Sequence, residues 1–215
     1  MKSVLLIGLG RYGRHIAKKL YELHHEVLAV ERCEDRVEMA LPYLTRGLIG
    51  DSTNRAFLDS LGVPNFDLCI VAIGDDFQSS LETASLLKEL GAKLVVARAA
   101  RGIHEKFLLR NGADQVVYPE KQLAVWTAIR YSSDRVFDYF ELDRDHAVYE
   151  IAVPGPWAGR TVGELDVRRA YHVNIMAVKE KGVIDAGVSP ATRLAPDMTI
   201  LLIGRNEAIQ RVLKL

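Results

Sequence analysis

Up to about residue 120 the chain repeats one hydrophobic rhythm: a short apolar run, a turn, then a stretch whose apolar positions follow a helical period. The runs are Val4-Leu5-Leu6-Ile7, Val27-Leu28-Ala29-Val30, Gly47-Leu48-Ile49, Leu68-Cys69-Ile70-Val71-Ala72-Ile73, Leu94-Val95-Val96-Ala97 and Gln115-Val116-Val117-Tyr118. Between them lie helix patterns such as DFQSSLETASLLKEL and IHEKFLLRNG, the second closed by a glycine at its C-terminal end. Continuous apolar strands alternating with helices require a parallel sheet covered on both faces. Residues 1–120 are therefore expected to form an α/β domain, a Rossmann-like doubly wound parallel sheet of six strands.

The rhythm changes after Tyr118-Pro119. EKQLAVWTAIRYSSDRVFDYFEL reads as a helix, a polar break at Ser132-Ser133-Asp134, and a cluster of aromatic residues, so residues 121–142 are expected to be a helical crossover linker. From residue 143 to residue 215 the pattern is strand (AVYEIAV), turn (PGPWAG), short helix (TVGELDVRRAY) and strand (NIMAVKEKG). A hairpin turn at Gly182, a return strand in VIDAGVSP, a third strand in MTILLIG and a last helix in NEAIQRVLKL follow. This is a small α+β domain, and a core of that size is marginal on its own.

Composition narrows the function classes. Lys plus Arg equal Asp plus Glu at 28 each, so the chain carries no net basic charge for nucleic acid or an anionic membrane surface. The chain opens on a strand pattern rather than on a charged and then apolar leader, and no apolar run approaches the roughly 18 residues a spanning helix needs. Cys33 and Cys69 are far apart and unaccompanied, which fits reduced thiols of a cytosolic protein.

The candidate chemistry sits at the strand ends. Gly8-x-Gly10-x-x-Gly13 follows a strand and opens a helix, the context that the dinucleotide fingerprint requires. Gly8 permits the tight turn, Gly10 lets backbone approach a pyrophosphate, and Gly13 allows close helix–strand packing; the N–H groups of Leu9, Gly10 and Arg11 are expected to face the anion. Tyr12 completes the set from this turn. Arg11 opposes the helix dipole in the first turn and suits a nearby phosphate. Glu31 ends the second strand, where an acidic residue takes the ribose hydroxyls and disfavours a 2′-phosphate, while Arg32 beside it keeps NADP open. Asp51, Ser52 and Thr53 could reach an adenosine or cap a helix. Ala72, Ile73 and Gly74 border the expected crevice; Asp75 and Asp76 after them read equally as first-turn helix acids. Glu120 has the same alternative, although a carboxylate beside nucleotide phosphates can hold a divalent cation. There is no G-x-x-x-x-G-K-[ST], H-E-x-x-H or C-x-x-C, no tyrosine with a lysine four residues on, and no paired base and nucleophile in residues 140–215.

Taken together, IGLGRYG, HEVLAVE, SLGVPNFDLCIVAIGDD, LLKELGAK, NGADQVVYPEK, LDVRRAYHVNIMAVKEKG and VSPAT resemble the RCK family, the nucleotide-binding gating subunits of bacterial potassium uptake systems, in its single-unit Ktr form. The resemblance implies an RCK-N domain, a dimerising crossover and an RCK-C (TrkA-C) domain. It implies a cytosolic octameric ring of dimers, peripheral on the membrane, that docks on a membrane-embedded potassium-translocating subunit and responds to ATP and ADP. By position, Gly8, Gly10 and Gly13 would hold phosphates, Glu31 the ribose, Asp51 and Thr53 the nucleoside side, and Glu120 a cation bound to the phosphates. Arg11 would reach the γ-phosphate across the dimer, and Arg98 fills a position where the family often has a basic residue. The second domain resembles RCK-C, whose dimer interface can bind cyclic di-AMP, here through Arg168, Asn174, Ile175 and Pro190. Glu31 stands where many members have Asp. Trp126, Tyr131, Phe137, Tyr139 and Phe140 would form a dimer surface, or else a core between the two domains.

The sequence is compatible with three readings: a non-enzymatic regulatory subunit gated by adenine nucleotide, an NAD(P)-dependent oxidoreductase or NADH redox sensor, and a cyclic-nucleotide receptor without a channel. NAD(H) therefore stays beside ATP and ADP as a candidate ligand.

Overall fold

A computed structural model describes residues 1–215 and divides them into two units, Met1–Lys121 and Gln122–Leu215. In the first, strands β1 (Ser3–Ile7), β2 (Glu26–Glu31), β3 (Arg46–Ile49), β4 (Leu68–Val71), β5 (Val95–Arg98) and β6 (Gln115–Val117) alternate with helices. The helices are α1 (Arg11–Glu22), α2 (Glu34–Ala40), α3 (Arg55–Ser60), α4 (Phe77–Glu89) and α5 (Gly102–Arg110). All strand pairs are parallel, in the order β3-β2-β1-β4-β5-β6. The continuous apolar runs become strands because both sheet faces are covered. Leu5 and Ile7 enter one buried cluster, with Leu58 and Leu87 of α3 and α4. Leu6 enters the opposite cluster with Ala17, Val37 and Ala40 of α1 and α2.

Helix α6 (Pro119–Tyr131) runs from the first unit into the second. The second unit continues with β7 (Val136–Glu141), β8 (His146–Ala152), α7 (Val162–Leu165), α8 (Val167–Tyr171), β9 (Val173–Glu180), β10 (Val183–Asp185), β11 (Thr199–Arg205) and α9 (Asn206–Leu213). Its sheet is antiparallel in the order β10-β9-β11-β8-β7. Ile200 and Leu202 of the sheet bury against Ala208, Ile209 and Val212 of α9. Lys181 and Gly182 both take positive φ, 50° and 84°, which suits the tight β9–β10 hairpin.

Two local expectations differ. The segment read as a helical linker to residue 142 holds a strand, β7, whose Val136 and Tyr139 are buried in the second unit's core. A bulge between Val136 and Asp138 breaks the alternation that would have marked it. The aromatic cluster accordingly separates. Tyr139 packs edge-on to Tyr149 with ring centroids 4.9 Å apart, and the Trp126 indole N–H donates to Asp138 Oδ1 at 3.0 Å. Tyr131, Phe137 and Phe140 stay exposed. The helix read across TVGELDVRRAY is two short ones, α7 and α8, because Asp166 takes the left-handed conformation (φ 41°) at their junction.

Candidate nucleotide-binding site

The strand order reverses about β1, and a cleft of about 590 Å³ opens there beyond the carboxyl ends of the strands. Gly8 makes the turn out of β1 with φ 94°, and its N–H donates to the Val30 carbonyl at 2.8 Å. A Cβ on Gly13 would overlap the Gly8 carbonyl oxygen, so this glycine is required by the protein's own packing. Gly10 differs: a Cβ there would meet nothing within 4 Å and would stand free. Gly10 is also the N-cap of α1, which has no side-chain cap and no acidic residue in its first turn. Helices α3 and α4, by contrast, are capped by Asn54 and Asp76. The positive end of α1 therefore keeps anion-binding capacity, and Gly10, Arg11 and Tyr12 line the cleft beside it. Leu9 corrects the expectation of a free N–H, because its N–H donates to Glu31 Oε2 at 2.8 Å and its side chain is buried.

On the β2–β3 side Glu31 is only 9% exposed. Its Oε1 accepts the N–H groups of Arg32 at 2.9 Å and Cys33 at 3.2 Å, while Oε2 takes Leu9 and lies 3.7 Å from Arg36 Nη1. Oε2 thus retains acceptor capacity for a hydroxyl. Arg32 is engaged as well: Nη2 donates to Asp51 Oδ1 at 2.6 Å, and Nη1 is 3.7 Å from Asp76 Oδ2. The Arg32 guanidinium, with the Thr53 hydroxyl and N–H behind it, lowers the Asp51 carboxyl to a pKa of about 2. Asp51 and Thr53 form this small network outside the cleft lining. Ser52 reaches the lining, but its buried hydroxyl is paired with Thr83 Oγ1 at 2.8 Å.

The β4–β6 side carries Ala72, Ile73, Gly74, Arg98 and Glu120. Arg98, at the end of β5, ion-pairs with Glu120, and its guanidinium carbon lies 5.3 Å from the Tyr12 ring centroid. A Cβ on Gly74 would meet Arg98 Nη1, the far end of a flexible side chain, so the guanidinium packs directly over this glycine and would have to shift for a larger residue. Burial pushes the Glu120 carboxyl up, but its own backbone N–H and the Arg98 guanidinium outweigh this and hold it below the usual range. Burial raises the Tyr12 phenol, with Arg98 opposing. No group of three or more His, Cys, Asp or Glu side chains is arranged to hold a metal ion, so a cation at Glu120 would need phosphate oxygens and water to complete its shell.

In the second unit, Arg168 Nε donates to Asn174 Oδ1 at 2.6 Å. Ile175 is half-buried against the core, and the Pro190 carbonyl accepts the Gly163 N–H at 2.9 Å.

The TrkA-N domain family matches residues 4–119, and the TrkA-C domain family matches residues 147–215. The chain belongs to the TrkA-N and TrkA-C family. Among its relatives, the Ktr system potassium uptake protein C of Bacillus subtilis (strain 168) is 41% identical over 204 residues, covering 94% of this chain and 91% of that one. The Ktr system potassium uptake protein A of the same organism is 34% identical over 210 residues, covering 98% and 95%. A solved structure described as the GsuK channel bound to NAD superposes with a TM-score of 0.69 at 20% identity, over 98% of this chain and 38% of that one. At that identity the likeness speaks for the fold. The resemblance to RCK-type potassium uptake subunits, read from ordered sequence strings, is borne out by the family match.

Within this TrkA-N cleft, four lining residues carried no signal in the sequence: His15, Arg36, Gly50 and Ser79. Arg36 and Ser79 sit on α2 and α4 outside any motif, and only the packed fold turns them toward the crevice. Asp76 serves both readings. It caps α4 through the Ser79 N–H at 3.0 Å and also borders the cleft.

Proposed function

We propose that this chain is the regulatory gating subunit of a Ktr-type potassium transporter, binding ATP and ADP in the TrkA-N cleft without transforming them. The observation that carries the reading is Gly10, where no packing contact of the protein requires a glycine and the space above a helix N-terminus without a side-chain cap lies open. Phosphates fit that space. On the sugar side, Glu31 keeps one oxygen available, and Arg32 is already held by Asp51, so a 2′-phosphate would have to displace a carboxylate. That favours ATP, ADP or NAD(H) over NADP. On the far side a charged pair, Arg98 and Glu120, suits further phosphate and a divalent cation better than an uncharged ring. Two Ktr system potassium uptake proteins at 41% and 34% identity support the transport context.

No helix is long and apolar enough to cross a membrane. Such a subunit acts from the cytosolic face on a separate membrane-embedded partner, as a dimer assembling into an octameric ring. A ligand can drive the switch only by binding two ring states unequally, which is the role given to Arg11 reading the γ-phosphate from the neighbouring subunit. The Arg168–Asn174 pair, with Ile175 and Pro190, is the candidate cyclic di-AMP site of the TrkA-C unit.

Calorimetry with ATP, ADP, NADH, NADPH and cyclic di-AMP, on protein of measured mass, tests the reading. Tight ATP and ADP binding with weak NADPH binding supports it. Absence of any adenylate binding, or steady oxidation of a metabolite with a nicotinamide coenzyme, overturns it. Arg168→Ala is expected to reduce cyclic di-AMP affinity and leave ATP affinity intact.

A further inference from the structure

We infer that Arg98 and Glu120 form an internal latch in the nucleotide cleft, in which the Glu120 carboxylate holds the place that the terminal phosphate of a triphosphate takes on binding. The inference rests on the cleft being an adenine-nucleotide site.

The two partners are held unequally. Arg98 is fixed: its side chain is 19% exposed, its guanidinium lies against Gly74 and over the Tyr12 ring, and it leaves β5 as part of the sheet. Glu120 is 55% exposed and sits in the first turn of α6, where water can take over its oxygens. A guanidinium offers five N–H donors, yet Glu120 is the single hydrogen-bond acceptor found for Arg98, and its Nε is buried with no partner at all. The site therefore has a fixed cation with unused donors and a counter-ion that is easily released. Tyr12, against which that cation rests, belongs to the first turn of α1, the turn offered to phosphates.

A carboxylate engages guanidinium with two oxygens; a terminal phosphate brings three and more charge. When a triphosphate occupies the turn, Arg98 stays and exchanges Glu120 for phosphate oxygen, and Glu120 is freed into solvent or onto a phosphate-bound cation. A diphosphate, shorter by one group, leaves the pair closed. Arg98 is thus a specificity-determining residue for the third phosphate, and Glu120 an autoinhibitory competitor in metal-free conditions, even though it aids binding when a divalent cation is present.

The test is calorimetry in EDTA-containing buffer on the full chain, comparing Glu120→Gln with wild type for ATP and for ADP. Removing an exposed ion-pair competitor should raise ATP affinity about threefold. ADP affinity should change less. In Arg98→Met, which keeps the stem against Tyr12 but not the charge, adding Glu120→Gln should bring no gain for ATP. An equal gain for ATP and ADP, a gain that persists beside Arg98→Met, or a loss of ATP affinity in EDTA overturns the latch. The ATP-against-ADP comparison needs only Glu120→Gln, so it decides even where Arg98→Met does not fold. Wild-type protein that binds no adenylate removes the underlying reading instead, a different outcome from wild-type binding that Glu120→Gln leaves unchanged, which removes the latch alone.

Discussion

Alanine at Gly10 and alanine at Gly13 change the same atom in the same turn and should fail in opposite ways. At Gly13 the new Cβ overlaps the Gly8 carbonyl oxygen, lies 3.0 Å from the carbonyl carbon and touches Ala72 Cβ at 3.4 Å. None of these can step aside cheaply, because Gly8 is fixed at φ 94° and tied to Val30. Overpacking of this kind costs about 1–3 kcal/mol, against which the better helix propensity of alanine returns up to about 1 kcal/mol. A net loss of about 1–2 kcal/mol lowers the melting temperature by roughly 2–8 °C in a chain of this size. At Gly10 the Cβ meets nothing, and φ of −59° is open to any residue, so only the N-cap preference is lost, about 0.5–1 kcal/mol. Its methyl group does enter the space assigned to the pyrophosphate, and ATP affinity should fall at least about tenfold, the equivalent of about 1.4 kcal/mol. Circular dichroism melts and calorimetry on the two variants separate the effects. Unchanged nucleotide affinity in Gly10→Ala would show that no phosphate lies over this turn, and a Gly13→Ala variant melting like wild type would refute the packing argument.

Further outcomes are expected elsewhere. Cys33 is exposed while Cys69 is buried with its thiol pushed up to about 12 by desolvation, so a thiol reagent should titrate one group in native protein and two after denaturation. Asp51 has its pKa lowered from 3.8 to about 2, chiefly by Arg32, so its contribution is present at neutral pH and is lost as pH falls from 3.8 through about 2. With the pair half exposed that contribution stays below about 1 kcal/mol, and urea melts of Asp51→Asn should be correspondingly flatter across this acid range than those of wild type. Thr161 and Glu164 form a reciprocal capping box at α7, and Thr161→Ala should destabilise the second unit by about 1 kcal/mol, read by urea melts.

The six parallel strands were legible because both their faces are buried, which writes a continuous apolar run into the sequence. The glycine turn after β1 was legible for a similar reason: Gly8 and Gly13 answer to steric demands that recur wherever a strand feeds a helix this way. What could not be read depends on groups far apart in the chain. Leu9 gives its N–H to Glu31, 22 residues on, only because β1 and β2 lie side by side in their particular register. Arg98 reaches Glu120 across the β5–β6 edge and packs its guanidinium over Gly74 beyond a third strand end. Strand β7 was hidden by its bulge, and the α7–α8 break by an aspartate accepting a conformation that L-residues rarely adopt.

The Glu31 carboxylate joins the end of β2 to the start of the turn after β1, so the group proposed for the sugar is also a strut beneath the proposed phosphate cradle. Changes to a ligand's ribose and changes to its phosphates should then fail to sum independently: deoxygenating the sugar lets the strut relax, and the anion feels that relaxation several bonds away. Nucleotide analogues altered at both ends would register this as a shortfall or excess over the separate penalties, a property belonging to one side chain serving two masters.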